Sequence, residues 1–274
     1  MIRFCPNLHF MYGEVPFLDR FAAARDDGFA AVEMTFPYDF EASQIRLTAD
    51  KATLQIVEFN SPAGPIIPGI RRGLAAVPGH EREYLNQIRT GIAYARTFDC
   101  RLLLTLAGVV LPDASRALAT QTFVANLKIA SALCAEAGIV LLIETNNLRD
   151  NPNYLLRRLD EVRDIIERVG ANNLRTIFDF YHVQINEGDV TRRFLANLDI
   201  IEHIQVANPP NRHEPGVGEL EYTHIFKLIA ESGYKGWVGG EFFPRDGKTS
   251  PSLQWMRDRG FLATVAICSD HLTP

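Results

Sequence analysis

Short apolar runs punctuate the chain, each followed by a polar break and then a longer amphipathic segment. The runs Ile2–Cys5, Ala31–Met34, Thr53–Phe59, Arg101–Leu106, Ile139–Ile143, Arg175–Phe178, Ile200–Val206 and Trp237–Gly239 are predicted strands. They rarely alternate polar with apolar positions, which suits parallel strands buried on both faces. Between them, Phe17–Asp27, His80–Phe98, Ser115–Ala137, Tyr154–Val169, Tyr222–Ser232 and Pro251–Cys268 read as helices. Gly28, Gly138 and Gly233 each stand just ahead of a strand, where a helix is expected to stop in the left-handed conformation. About eight β–α units are the number that closes a barrel of this length. The predicted fold is therefore α/β, a single (β/α)8 TIM barrel. A doubly wound open sheet is the rival, but no GxGxxG follows the first strand.

The stretch Pro62–Gly79 is rich in proline and glycine and is predicted to be a loop or lid. No linker, low-complexity tract or charge block divides the chain, so residues 1–274 are expected to form one catalytic barrel domain. The chain is 47% hydrophobic and 22% charged, ordinary for a globular domain with a large core. Its net charge of −5 recommends no nucleic-acid partner. No apolar run is long enough to span a bilayer, and no basic, apolar leader opens the chain. Cys5, Cys100, Cys134 and Cys268 are scattered and form no CxxC, as expected of reduced, packed cysteines in a cytoplasmic protein. A homo-oligomer is left open.

In such barrels, chemistry sits where the strands end, on the loops that follow. The run VLLIE ends in Glu144, TIFD in Asp179 and WVGGE in Glu241, while HIQV carries Gln205 near its end. Three carboxylates at one mouth repel each other unless a counter-charge is present. A divalent cation supplies it, and an all-oxygen donor set suits Mg²⁺ or Mn²⁺. The neutral amide of Gln205 would complete the shell without adding a negative charge. Each acid alone reads as an ordinary cap or loop residue; the four together, on the fifth to eighth strands, point to a metal site. His182, three residues beyond Asp179, is equally a packed histidine or a functional one. Arg212 and Glu214, in the loop after Gln205, are either a solvent-exposed pair or groups aimed at a substrate carboxylate. Glu33 and Glu58 also lie in or near strand ends, and Glu33 is read as a satisfied acid of the barrel interior. No GxSxG occurs, and no cysteine neighbours a plausible base, so acid/base chemistry on a metal-bound substrate is preferred to nucleophilic catalysis.

The stretches NLHFMYGEVPFLDRFAAARDDGFAAVEMTFPYDF, RRGLAAVPGHE, HIQVANPPNRHEPGVGELEY and YKGWVGGEFFP together resemble the hydroxypyruvate isomerase family. That family belongs to the xylose-isomerase-like barrels, and the similarity runs over nearly the whole chain. The resemblance implies conversion of hydroxypyruvate to 2-hydroxy-3-oxopropanoate (tartronate semialdehyde) by proton transfer through an enediolate. It assigns Glu144, Asp179, Gln205 and Glu241 to a divalent metal, Glu144 and Glu241 to proton transfer, and His182, Arg212 and Glu214 to the substrate. Related sugar epimerases usually carry histidine where this chain has Gln205. Alternatives are a 2-oxo-tetronate isomerase or a ketose 3-epimerase and, more distantly, an endonuclease IV-like DNA-repair enzyme, which needs a histidine-rich trinuclear zinc site. Two positions depart from several relatives: Pro65 replaces an acid in PAGD, and Phe243 replaces the lysine of EYKP.

Overall fold

The computed structural model describes residues 2–64, 73–112 and 114–262. Among them, the strands are β1 (Arg3–Pro6), β2 (Ala31–Met34), β3 (Gln55–Asn60), β4 (Leu102–Leu104), β5 (Val140–Glu144), β6 (Leu174–Asp179), β7 (Ile201–Val206) and β8 (Trp237–Gly240). They form one sheet in the order β1-β8-β7-β6-β5-β4-β3-β2, with every pair parallel. The last seam, β1 against β2, is carried by a parallel bridge between Asn7 and Glu33, where the Leu8 N–H donates to the Glu33 carbonyl at 2.9 Å. The fold is thus a nearly closed eight-stranded TIM barrel. Parallel neighbours cannot be joined by tight hairpins, so the chain crosses back outside the ring, mostly through helices.

The two longest crossings, Glu81–Phe98 and Arg116–Glu136, flank β4 in sequence. The first buries Tyr84, Ile88, Ile92 and Ala95, spaced three or four apart so that they share one face. The second starts at Ser115, whose hydroxyl accepts the Leu118 N–H at 3.1 Å and satisfies one of the free donors of the first turn. Gly28, Gly138 and Gly233 have φ of 98°, 70° and 83°, the left-handed stops the sequence predicts. Three helices were not predicted: Ala42–Lys51, Phe180–Asn186 and Val190–Ala196. The helix predicted from Tyr154 starts at Leu159, and the stretch predicted as helix from Pro251 falls in two short helices, Thr249–Ser252 and Gln254–Asp258. Its extension to Cys268 lies outside the described residues, as do Pro65 and the middle of the Pro62–Gly79 segment.

Side chains two apart on a strand share a face. Leu141, Ile143, Phe178 and Ile204 pack outward into the main core between strands and helices, whereas Leu142 and Ile177 join a separate apolar cluster with Leu104 and Leu106. The inward rows therefore run Leu142 then Glu144, Ile177 then Asp179, His203 then Gln205, Gly239 then Glu241. This alternation carries each functional side chain to the same end of the barrel. Among the described residues, no helix is long and apolar enough to cross a membrane.

Just past β1, the His9 Nδ1 accepts the Thr35 N–H at 3.1 Å, and the ring packs on Phe17 at 4.8 Å between centroids. Burial, reinforced by Arg20, holds the His9 pKa down at about 4. The unfolded chain binds this proton near 6.5, so the ring stabilises the fold above that pH and the stabilisation, roughly 3 kcal/mol, is lost as pH falls toward 4. An NMR titration is expected to find His9 neutral at pH 5.5; a midpoint near 6.5 would show that the ring is not held in this way.

Candidate active site

Glu144 closes β5, Asp179 closes β6, Gln205 is the next-to-last residue of β7, and Glu241 directly follows β8. Asp179 pairs with Gln205 and Gln205 with Gly239, which sets these strand ends level. The Glu241 N–H donates to the Val206 carbonyl at 3.1 Å, extending the β7–β8 pairing by one residue. All four residues are between 1% and 9% exposed. One ligand atom from each of Glu144, Asp179, His182 and Glu241 lies within 4.8 Å of all the others.

Asp179 also explains how His182 arrives. Its Oδ1 accepts the Tyr181 N–H at 2.8 Å, so the end of β6 caps the helix Phe180–Asn186 with no intervening loop. One turn on, the His182 Nε2 lies 3.5 Å from Asp179 Oδ2 and 4.0 Å from Glu144 Oε1. The Asn147 N–H donates to His182 Nδ1 at 3.3 Å. With Nδ1 accepting, the neutral ring carries its proton on Nε2, facing the carboxylates.

The loop after β7 is pinned by Asn208, whose side chain accepts the Leu220 N–H at 2.8 Å and donates to the Leu220 carbonyl at 3.1 Å. Gly218 is needed there: at φ 139°, an added Cβ would sit 2.0 Å from the Pro209 carbonyl oxygen. The loop delivers Arg212 into the acid cluster rather than to solvent. Its Nη2 contacts Glu241 Oε2 closely and lies 3.6 Å from Asp179 Oδ2, while its Nε donates to the Glu241 carbonyl at 3.2 Å. The guanidinium is held between the rings of Phe10 and Tyr181, 4.6 and 4.9 Å from their centroids. Tyr181 is itself fixed by its O–H donating to Asp150 at 2.7 Å. Glu214 is buried but turned away: its Oε2 accepts the Arg245 N–H at 2.9 Å. Phe243 is half exposed and packs on Phe10 at 4.8 Å.

Three carboxylates thus face one guanidinium. Burial, then Glu241 and Asp179, push the Glu144 carboxyl well above the usual carboxylate range. Burial also raises Asp179, against the pull of Arg212. Burial opposes the charge on Arg212, but Glu241, Asp179 and Glu144 outweigh it and raise its pKa. Glu144 Oε1, Asp179 Oδ2 and Gln205 Oε1 are buried and accept no hydrogen bond. Buried oxygens in that state are costly unless something electropositive binds them. Hard, oxygen-only donors from three neighbouring strands fit a divalent cation.

Sequence reasoning singled out Glu33 and Glu58 behind this surface but missed what Glu33 holds. Glu33 is a satisfied interior acid, as expected, but its partners include Asn7, His203 and Gln205. His203 was visible as the inward neighbour of Gln205, two positions back on the same strand. Glu58 lies beside Glu33 with both oxygens buried and without hydrogen bonds, and burial, then Glu33, Glu241 and Glu144, push its pKa far up, which favours a neutral acid.

The family model of the xylose isomerase-like TIM barrel matches residues 21–259. The 2-oxo-tetronate isomerase of Cupriavidus necator is 44% identical over 257 residues, 94% of this chain and 98% of that protein. The hydroxypyruvate isomerase of Escherichia coli is 37% identical over 256 residues, 93% of this chain and 98% of that protein. A solved structure from Brucella melitensis, described as an AP endonuclease of family 2, superposes with a TM-score of 0.90 at 39% identity, covering 94% of this chain and 99% of that one. With matches of this length on a barrel of this topology, the chain belongs to the hydroxypyruvate isomerase family of xylose isomerase-like TIM barrels.

Proposed function

We propose that the protein interconverts a small 2-oxo acid and its 3-oxo isomer, with hydroxypyruvate and 2-hydroxy-3-oxopropanoate as the preferred pair. The observation that carries this reading is the set of buried oxygens without hydrogen bonds on Glu144, Asp179 and Gln205, beside the Arg212–Glu241 pair. Glu144, Asp179, Gln205 and Glu241 would hold the cation. Bound there, Mg²⁺ or Mn²⁺ would polarise the substrate's carbonyl and hydroxyl oxygens and acidify the carbon that must lose a proton.

The rest is the work of this chain's side chains. Glu241 and Glu144 are the carboxylates that take a proton from the hydroxyl-bearing carbon and return one to its neighbour, through an enediolate. The hydroxyl proton passes between the two adjacent oxygens, and His182 Nε2–H is placed to steady the negative charge that develops on them. No electrons leave the substrate, so no redox cofactor is needed. Arg212, held in plane by Phe10 and Tyr181, is the group for the substrate carboxylate. A second reading, isomerisation of a 2-oxo-tetronate by the same steps, is favoured by the 44% identity to the Cupriavidus necator relative. The endonuclease reading gains little: among the described residues, the four-membered cluster holds one histidine, His182, and the chain is acidic.

The test is turnover of hydroxypyruvate, a 2-oxo-tetronate and a ketohexose by chelated, dialysed protein, with Mg²⁺ or Mn²⁺ added back. Activity on one of the two acids, lost on chelation and restored by the cation, is expected. Turnover of the ketohexose alone would replace the acid isomerase with an epimerase, and activity indifferent to chelation would remove the cation.

A further inference from the structure

We propose that Glu33, a residue outside the acid cluster, is the positioning residue that turns the Gln205 amide oxygen toward the cation. The inference rests on the cation reading above and concerns what holds the one neutral ligand in place.

Glu33 is fully buried on β2, across the barrel seam from the strands that carry the acids. Its Oε1 accepts the Gln205 Nε2–H at 2.8 Å and the Asn7 Nδ2–H at 3.1 Å. Its Oε2 lies 2.6 Å from His203 Nε2 and 3.6 Å from Cys5 Sγ. A primary amide has its N–H₂ and its oxygen on opposite sides of one carbon. Once the nitrogen is pinned to a carboxylate, the oxygen must face the other way. That oxygen, Gln205 Oε1, is buried and without a hydrogen bond. With its N–H₂ turned to a cation the amide would repel it, and the Glu33 carboxylate disfavours that orientation by holding the N–H₂ on its own side.

Glu33 reaches a second ligand by the same means. Asn7 Nδ2, which donates to Glu33, also lies 3.4 Å from Glu241 Oε1. The Asn7 orientation is itself set, because its Oδ1 accepts the His9 N–H at 3.0 Å. Residues behind the ligands therefore fix two of the four. Such outer contacts typically change metal affinity by about 10–100-fold when removed. Cys5, Glu33 and His203 are close enough to be read as a second cation site. That arrangement would leave a cation only Oε2 of the carboxylate, since Oε1 already accepts from Gln205 and Asn7.

The experiment is Mn²⁺ titration of the metal-free full chain, followed by calorimetry and by the electron paramagnetic resonance of free Mn²⁺, without substrate. Wild-type protein is expected to bind one ion per chain, and Glu33→Gln to bind it about 10–100-fold more weakly. In a Gln205→Leu background, adding Glu33→Gln should cost clearly less affinity than it costs the wild type, since Gln205 is gone and only the longer contact through Asn7 to Glu241 remains. Equal binding by wild type and Glu33→Gln, or losses that multiply in the double variant, would overturn the assignment. So would two ions per chain with one lost in Glu33→Gln, which would make the cluster a second site. Wild-type protein that binds no ion would overturn the cation reading itself, a separate outcome. Should Glu33→Gln fail to fold, ¹⁵N-glutamine labelling of wild type decides: the Gln205 amide protons should be resolved and slow to exchange before any cation is added. An amide that becomes ordered only with the cation would refute prior positioning by Glu33.

Discussion

Glu241→Gln is expected to lower turnover by about 10³- to 10⁴-fold at saturating cation, the loss typical of removing a general base together with a charged ligand. The substitution is nearly isosteric and keeps an oxygen for the Asn7 amide, so the barrel should persist. What disappears is the negative charge opposite Arg212 and the basicity that the proton transfer requires. Arg212 retains Asp179 at 3.6 Å and its place between Phe10 and Tyr181, so its burial is not left without a partner. Circular dichroism and thermal unfolding should show a change of about 1 kcal/mol or less. Turnover within tenfold of wild type, with the cation bound, would sink the role given to Glu241.

Gly239→Ala is expected to destabilise the protein by about 2–4 kcal/mol, through overpacking and the hydrogen bonds it displaces. A Cβ at this β8 position would lie 2.1 Å from one Glu33 carboxylate oxygen and 2.6 Å from the other. A free glutamate could swing aside at little cost. This one cannot, because moving it breaks the contacts to His203, Gln205 and Asn7 together. Denaturant unfolding measures the effect, and a loss below about 0.5 kcal/mol would show that the carboxylate is not anchored as described. The cation affinity should fall in the same variant, since Gln205 loses the group that orients it.

The barrel was legible because parallel strands buried on both faces read as bare apolar runs, and β2 was placed to the residue. The acids at strand ends were legible for the converse reason: a carboxylate closing an apolar run has few other places to go. The helix Phe180–Asn186 was not, since Asp179 ends a strand and caps a helix at once and leaves no turn residues between them. Arg212 and Glu214 are adjacent but one in sequence, yet one enters the cluster and the other braces the loop after β8. Only the path of the loop separates them, and spacing does not encode it. The link from Glu33 to Gln205 joins residues 172 positions apart across the closing seam. A sequence shows that Gln205 is polar in an apolar strand, but not what turns its amide.

That seam has a consequence for how the molecule fails. Seven of the eight junctions in the ring are ladders of paired residues, whereas β1 meets β2 through the bridge at Asn7 and Glu33. The backbone of these two residues shuts the barrel while their side chains tune its mouth. A local opening at this junction would displace Asn7 and Glu33 together, and with them the contacts to Gln205 and Glu241. The residues that close the ring are thus the same ones that hold Gln205 and touch Glu241.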